Sequence, residues 1–331
     1  MKILLTGAQG FLGGRVLDFL LKENYEVRVL VRRPAPELIM RGVEVYQGDL
    51  RQPAKTAPAL RGIDGIIHCA ARSGVWGPLN DFIEANTLST YNLLCAARKH
   101  GARWFVHTSS PSVVHSGQPL DGIDESVPYA TDPRHGYPYS KMLAEKMVLA
   151  ADEPSFRTTA LRPHLIWGPG DPHFLPRLTA KARAGRLWLL KSTALVDGTY
   201  IDNAALAHIL AAKKMISGEA ARIGGRAYFI AQGEPLTASD LIQRILDAAS
   251  GPGQILKIKG LLPTGLGLSA GTLLEGIWRI FRLKNEPPLS RFVAEELTLP
   301  HWFDLSRARL DLGYEPTVTM AAGLQKLKEA Q

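Results

Sequence analysis

Cysteine is almost missing from this chain: Cys69 and Cys95 are the only 2 in 331 residues, and both lie inside apolar segments. Two thiols placed in this way build no disulfide framework and offer no metal-ligand spacing, and they suit a reducing compartment. Aromatic residues are sparse at 8%, and no basic run is interleaved with them. The net charge of +8 therefore points least to nucleic acid among the anions it can attract, behind anionic lipid, a phosphorylated cofactor or a carboxylate substrate. The first apolar run, Ile3-Leu4-Leu5, stops at Thr6-Gly7, short of the roughly seven apolar residues a secretory signal needs, so a cytoplasmic protein is expected. Internal repeats, low-complexity tracts and linkers are missing as well. What remains is an ordinary globular composition, 46% hydrophobic and 21% charged, long enough for one large domain with a smaller appendage.

The chain opens on its most informative stretch, MKILLTGAQGFLGG. Lys2 to Thr6 reads as a buried strand, and Arg15 to Glu23, with Val16, Leu17, Leu20 and Leu21 apolar, reads as an amphipathic helix. Between them stand Gly7, Gly10 and Gly13. In a nucleotide cradle Gly7 permits the tight turn, Gly10 lets backbone N–H groups approach a pyrophosphate, and Gly13 lets the helix press on the strand. An ordinary strand-to-helix turn is the competing reading, because the spacing is Gly-x-x-Gly-x-x-Gly and not Gly-x-Gly-x-x-Gly.

Glu26 to Val31 is a second strand, and it ends in Arg32-Arg33-Pro34 with no acid to hold a ribose 2′-hydroxyl. Two arginines at that turn favour the 2′-phosphate of NADP(H). Val43 to Tyr46 gives a third strand, followed by Asp49, a candidate acceptor for an adenine amino group or a plain turn residue. Gly65 to Ala71 gives a fourth, whose small end residues Ala70 and Ala71 let the backbone come close to a cofactor. Phe82 to His100 reads as one long helix and Trp104 to His107 as strand five. This alternation predicts an α/β fold, a Rossmann-type doubly wound parallel sheet, with ligands at the C-terminal strand ends. Ser110 follows strand five, and Tyr137 and Lys141 are four residues apart at the start of a helix, on one face. A lysine ammonium beside a phenol is expected to lower the phenol's pKa toward neutrality, as ketone–alcohol hydride chemistry requires.

The segments TGAQGFLGG, GDL, HCAA, FVHTSSPSV, YPYSK and LRPHLIWGPGD, in that order, resemble the extended short-chain dehydrogenase/reductase family in its 3β-hydroxysteroid dehydrogenase-like branch. YIDNAALAH, AYFIAQGEPL, EPPLSRFVAEEL, PHWF and LGYEP carry the resemblance through essentially the whole chain. It implies a catalytic triad of Ser110, Tyr137 and Lys141, with Ser110 preferred over Ser109 because the family's serine precedes two variable residues and a valine. It implies NADP(H) held by Gly7, Gly10, Phe11, Leu12, Gly13, Arg32, Arg33, Asp49, Leu50, Ala70, Ala71, Tyr137 and Lys141, with Pro163 and Leu165 at the nicotinamide face. The domains expected are an NADP-binding part, 1–165, completed by pieces of 195–232, and an interleaved, smaller substrate-binding region, 166–331. Within the branch the detail is similar to reductases of long-chain 2-alkyl-3-oxo acids in bacterial olefin formation. The partners this implies are a long-chain hydrophobic carboxylate substrate, other enzymes of that pathway and a second copy of the chain, paired through 82–100 and 138–151. A hydroxysteroid or sterol-carboxylate dehydrogenase is the alternative within oxidoreductases, and a non-catalytic NADP sensor the alternative outside them.

Beyond strand six, Thr158 to Arg162, His164 stands either as a substrate contact or as a structural residue, with no partner at metal-ligand spacing, so no metal is expected. Asp202 is expected to cap the helix Asn203 to Ser217, Ala227 to Ile230 to add a strand, and Thr237 with Asp240 to open another helix. Gly260 to Leu283 is nearly long enough to span a bilayer, but Pro263, Glu275, Arg279 and Arg282 argue against a straight membrane helix. A core helix pair, an apolar lid over a long-chain substrate and an in-plane membrane contact compete for it. Arg291, Arg307 and Arg309 are candidate partners for a substrate carboxylate.

Overall fold

Runs such as Ile3-Leu4-Leu5 are apolar without alternation because both faces of their strand are covered, and all three side chains are fully buried. The computed structural model describes every residue except Pro252, Arg282, Lys284 and Gln331. Its main sheet has seven strands: β1 (Lys2–Thr6), β2 (Glu26–Val31), β3 (Glu44–Gln47), β4 (Gly65–His68), β5 (Trp104–Thr108), β6 (Arg157–Pro163) and β7 (Arg226–Ile230). They lie in the order β7-β6-β5-β4-β1-β2-β3, and every neighbouring pair is parallel. The strand order reverses between β1 and β4, which opens a crevice at their C-terminal ends, where ligands of such sheets bind.

Helices cover both faces. On one, α1 (Phe11–Lys22) packs against α4 (Ile201–Ile216), with Val16, Leu17, Leu20 and Ile209 in the core. On the other, α2 (Ser89–Lys99) and α3 (Gly136–Ala150) bring Leu93, Leu94, Ala97 and Val148 onto Leu4, Ile66 and Phe105. Four short strands, Leu120–Ile123, Leu195–Val196, Leu236–Thr237 and His301–Phe303, make a second sheet.

Beyond shifts of a few residues at element ends, the structure departs from the sequence reading at four places. β4 ends at His68, not Ala71, leaving Ala70 and Ala71 as loop. The long helix from Phe82 is interrupted by a π-turn, Ile83–Leu88, before α2 begins. The cause is Asn86 within that turn: its Oδ1 accepts from Arg72 N at 2.7 Å, and its Nδ2 donates to Ser140 Oγ at 2.9 Å. Asp202 does not cap α4, which starts at Ile201; its carboxylate is drawn to Arg15 Nε at 2.7 Å and Lys326 Nζ at 3.2 Å. The 260–283 stretch is no core helix pair. Its single helix α5 (Thr264–Ile280) buries only Gly267 and Gly271 and leaves Leu266 65%, Leu273 66% and Ile280 78% exposed. Arg282 lies outside the described residues, and no described helix is long and apolar enough to cross a membrane.

Candidate active site

Each part of the site is set by a local rule. β1 delivers the chain to Gly7, whose φ of 78° is a left-handed conformation that glycine adopts without penalty. Gly13 lies so close beneath this turn that a Cβ there would stand 2.1 Å from Gly7 O. Between them α1 starts at Phe11 with no side-chain cap and no acid in its first turn, so its leading N–H groups are open to an anion. β5 delivers Ser110, whose extended backbone caps a short 3₁₀ turn, with its Oγ accepting from Ser112 N. α3 delivers Tyr137 and Lys141 from consecutive turns.

These groups open into one cleft of about 1550 Å³. Gly7, Gly10, Phe11, Leu12, Gly13, Arg32, Arg33, Asp49, Leu50, Ala70, Ala71, Ser110, Tyr137, Lys141, Pro163 and Leu165 all line it. The glycine turn, the paired arginines and the Tyr/Lys helix are thus brought to one space, although sequence places them far apart. Asp49 reaches it already committed, with Oδ2 accepting from Arg51 Nη2 at 2.6 Å, which holds its pKa below the ordinary value. Arg32 and Arg33 are exposed, and neither guanidinium forms a close ion pair among the described residues, although the charge of Arg32 helps to lower the Asp49 pKa. At the far wall Leu165 has a φ of 36°, a strained backbone for a leucine. Thr199 maintains it, donating its N–H to Leu165 O at 3.2 Å and its hydroxyl to His164 O at 2.6 Å.

The catalytic candidates are arranged differently from what their spacing suggests. Burial raises the Tyr137 phenol above its ordinary pKa, and the Ser110 hydroxyl works against that shift. Lys141, 2% exposed, does not lower it. Its long stem carries the ammonium to β5, where it donates to Thr108 O and lies 3.3 Å from His107 Nε2. Burial pulls this lysine from 10.5 down to about 8, with Glu145 and Cys69 opposing. Phe82 sets the phenol's orientation edge-on, its ring centroid 6.4 Å from that of Tyr137. Ser109 also lines the cleft, but it is Ser110 that interacts with the phenol.

A family model described as the 3-beta hydroxysteroid dehydrogenase/isomerase family matches residues 4–253. The chain belongs to this family. It is 42% identical over 331 residues to a 2-alkyl-3-oxoalkanoate reductase of Stenotrophomonas maltophilia, covering 99% of this chain and 98% of that one. A 2-alkyl-3-oxoalkanoate reductase of Shewanella oneidensis is 38% identical, over 98% of this chain and 84% of its own. Among solved structures, the crystal structure of gox2253 superposes with a TM-score of 0.77 at 23% identity, covering 99% of this chain and 97% of that one. As a 3-beta hydroxysteroid dehydrogenase/isomerase family member, the chain is an oxidoreductase acting between an alcohol and a carbonyl group.

The residues fit the family's nicotinamide cofactor on structural grounds, since a side chain at Gly13 would collapse the glycine turn and the uncapped start of α1 faces the cleft. Some residues around this family site escape a reading of the sequence. Asn86 ties the π-turn to the loop after β4 and to α3, and only a polar residue on the buried stripe of a helix hints at it. His107 meets the Lys141 ammonium from inside β5. Beneath α3, Glu145, fully buried, accepts from Arg162 Nη2 at 2.6 Å and from Tyr129 Oη at 2.8 Å. The arginines proposed for a substrate carboxylate do not reach the cleft. Arg291 pairs with Glu295 at 2.8 Å, Arg307 with Glu125 at 3.4 Å and Arg309 with Glu315 at 3.3 Å.

Proposed function

We propose that the chain reduces the 3-keto group of a long-chain 2-alkyl-3-oxo acid to the 3-hydroxy acid, using NADPH. The observation that carries this reading is the meeting of Ser110 and Tyr137 at the end of β5, in the same cleft as the glycine turn. Bound reduced nicotinamide supplies hydride to the carbonyl carbon. Tyr137 donates its phenolic proton to the keto oxygen as negative charge develops there, and the Ser110 hydroxyl donates a hydrogen bond to the same oxygen. A phenol raised by burial is protonated at neutral pH, the form an acid catalyst of reduction needs. Lys141 would hold the nicotinamide ribose, its ammonium kept in register by Thr108 O and His107. Pro163 and Leu165 form the apolar wall that fixes which ring face meets the substrate. Arg32 and Arg33, exposed at the end of β2 and in no close ion pair among the described residues, favour a 2′-phosphate and hence NADPH over NADH.

The substrate assignment draws on the names of the two reductases above and on the apolar cover. The C-terminal end of α5 reaches the approach to the catalytic helix, where Arg279 donates to Arg134 O at 3.0 Å and lies over the Trp76 ring. Trp76 Nε1 donates to Leu283 O at 3.2 Å, closing a strap over that side. We assign 260–283 as the lid over the acyl chains. The test is NADPH oxidation measured in parallel with a long-chain 2-alkyl-3-oxo acid, a 3-ketosteroid and a nucleotide sugar. Turnover with the oxo acid is expected. Turnover with the steroid alone replaces the reading by that of a hydroxysteroid dehydrogenase.

A further inference from the structure

Away from the cleft, the fold assembles a histidine cluster from three distant parts of the chain. His115 follows the 3₁₀ turn after Ser110, His164 follows β6, Glu296 ends the helix Arg291–Glu296, and His301 opens the strand His301–Phe303. His115, His164 and His301 are 5%, 8% and 5% exposed. None of the four lines the large cleft. We propose that His164, His301 and Glu296, with His115 as a further donor, bind one divalent transition-metal ion, Zn²⁺ by preference.

The argument rests on where the protons must be. His164 Nδ1 is bonded to Asp197 O, and His301 Nδ1 to Leu299 O at 3.0 Å. A carbonyl oxygen only accepts, so both Nδ1 atoms carry hydrogen and both Nε2 atoms are the ring positions left for a metal ion or a second proton. His301 Nε2 faces Glu296 Oε2 at 3.6 Å, a pair that either of these would bridge. The same arrangement recurs at His115. Its Nε2 is 3.2 Å from Glu295 Oε2, which requires the proton there, while its Nδ1 stands 3.3 Å from Glu296 Oε1 with no hydrogen bond. Three buried imidazoles thus converge on the Glu296 carboxylate, whose side chain is 29% exposed, and a cation among them would be held by all of these donors. Imidazoles oriented by Nδ1–H donation to backbone carbonyls are the supporting arrangement of histidine–metal sites.

Size agrees. The donor atoms of His164, Glu296 and His301 all lie within 4.8 Å of one another. In a tetrahedral zinc site with bonds of about 2 Å, donor atoms are roughly 3.4 Å apart, so side-chain shifts of about 1 Å close the set. Nitrogen and carboxylate donors without a thiolate suit Zn²⁺ and its borderline neighbours, not Ca²⁺ or Mg²⁺. The bound ion would staple the loop that carries Pro163 and Leu165 to the 291–303 segment, holding the nicotinamide wall against the substrate region.

The test uses the tag-free, full-length chain, treated with chelator, dialysed and titrated with Co²⁺ alone. One equivalent should bind with visible absorption bands, Zn²⁺ should displace it, and Zn²⁺ should raise the thermal midpoint. Glu296→Gln should weaken Co²⁺ binding at least tenfold and abolish the thermal shift, and His100→Ala should do neither. Zinc-edge X-ray absorption of the wild-type chain, which needs no variant to fold, should show two or three imidazole nitrogens. Binding below a tenth of an equivalent, affinity unchanged in Glu296→Gln, or an all-oxygen shell would overturn the site and show that a proton alone settles the cluster. None of these readouts depends on the reductase assignment.

Discussion

Replacing Lys141 by methionine should make the protein more stable at neutral pH and remove its activity. The lysine is 2% exposed, and burial lowers its pKa from 10.5 to about 8. The unfolded chain therefore holds this proton more tightly than the native one, and each pKa unit corresponds to about 1.4 kcal/mol. Native stability rises with pH between the two values, because over that range the unfolded state binds more protons. Methionine keeps the stem and removes the titration, and the neighbours that feel the ammonium are held outside this pH range, His68 and His107 below it and Cys69 at about 11. Integrated from pH 7 to pH 9.5, the wild type should gain about 2 kcal/mol on the variant. At pH 7 the variant should be ahead by about 1–2 kcal/mol, after subtraction of the hydrogen bond that Thr108 O loses. Urea unfolding of both chains at the two pH values, followed by circular dichroism, reads this directly. A stability difference that does not change with pH, or that moves the other way, would refute the claim that the ammonium is buried at a cost in the native fold.

Tyr137→Phe should lower kcat by about 10²–10⁴-fold with NADPH affinity unchanged in a fluorescence titration, since it removes a proton donor and little else. Gly13→Ala should lose cofactor binding altogether, because its Cβ would stand 2.1 Å from Gly7 O and the obstacle is backbone; calorimetry with NADPH checks it. Glu145→Leu should cost about 3–5 kcal/mol by stranding the Arg162 guanidinium, and the double change with Arg162→Met should recover most of that loss in urea unfolding. Arg32→Glu should raise the KM for NADPH at least tenfold and leave that for NADH nearly unchanged; equal effects on both would remove the 2′-phosphate assignment.

The parts of the site that the sequence displays are the local ones. The Gly7, Gly10 and Gly13 turn and the Tyr137/Lys141 pair are each fixed by a few neighbouring residues, and strand–helix alternation says which end of the sheet they share. The parts it hides depend on partners remote in the chain. Asp202 has the look of a cap, but Arg15 and Lys326 claim its carboxylate. Lys141 has the spacing to meet a phenol, yet the room beside β5 takes its ammonium to Thr108 and His107. His164 shows no partner in its own segment, and Glu296 and His301 reach it only through the second sheet and its flanking helix. Asn86 bends a helix whose apolar spacing reads as continuous, because its amide is shared between Arg72 and Ser140.

Hydride transfer to the 3-keto carbon is the claim on which the account rests, and deuterium placed on C4 of the reduced cofactor tests it. With NADPH dideuterated at C4 and a long-chain 2-alkyl-3-oxo acid, mass spectrometry should find one deuterium in the hydroxy acid, bonded to C3. The Tyr137→Phe variant should give almost none of this product. A product without deuterium at C3, or full labelled turnover by the variant, would contradict it.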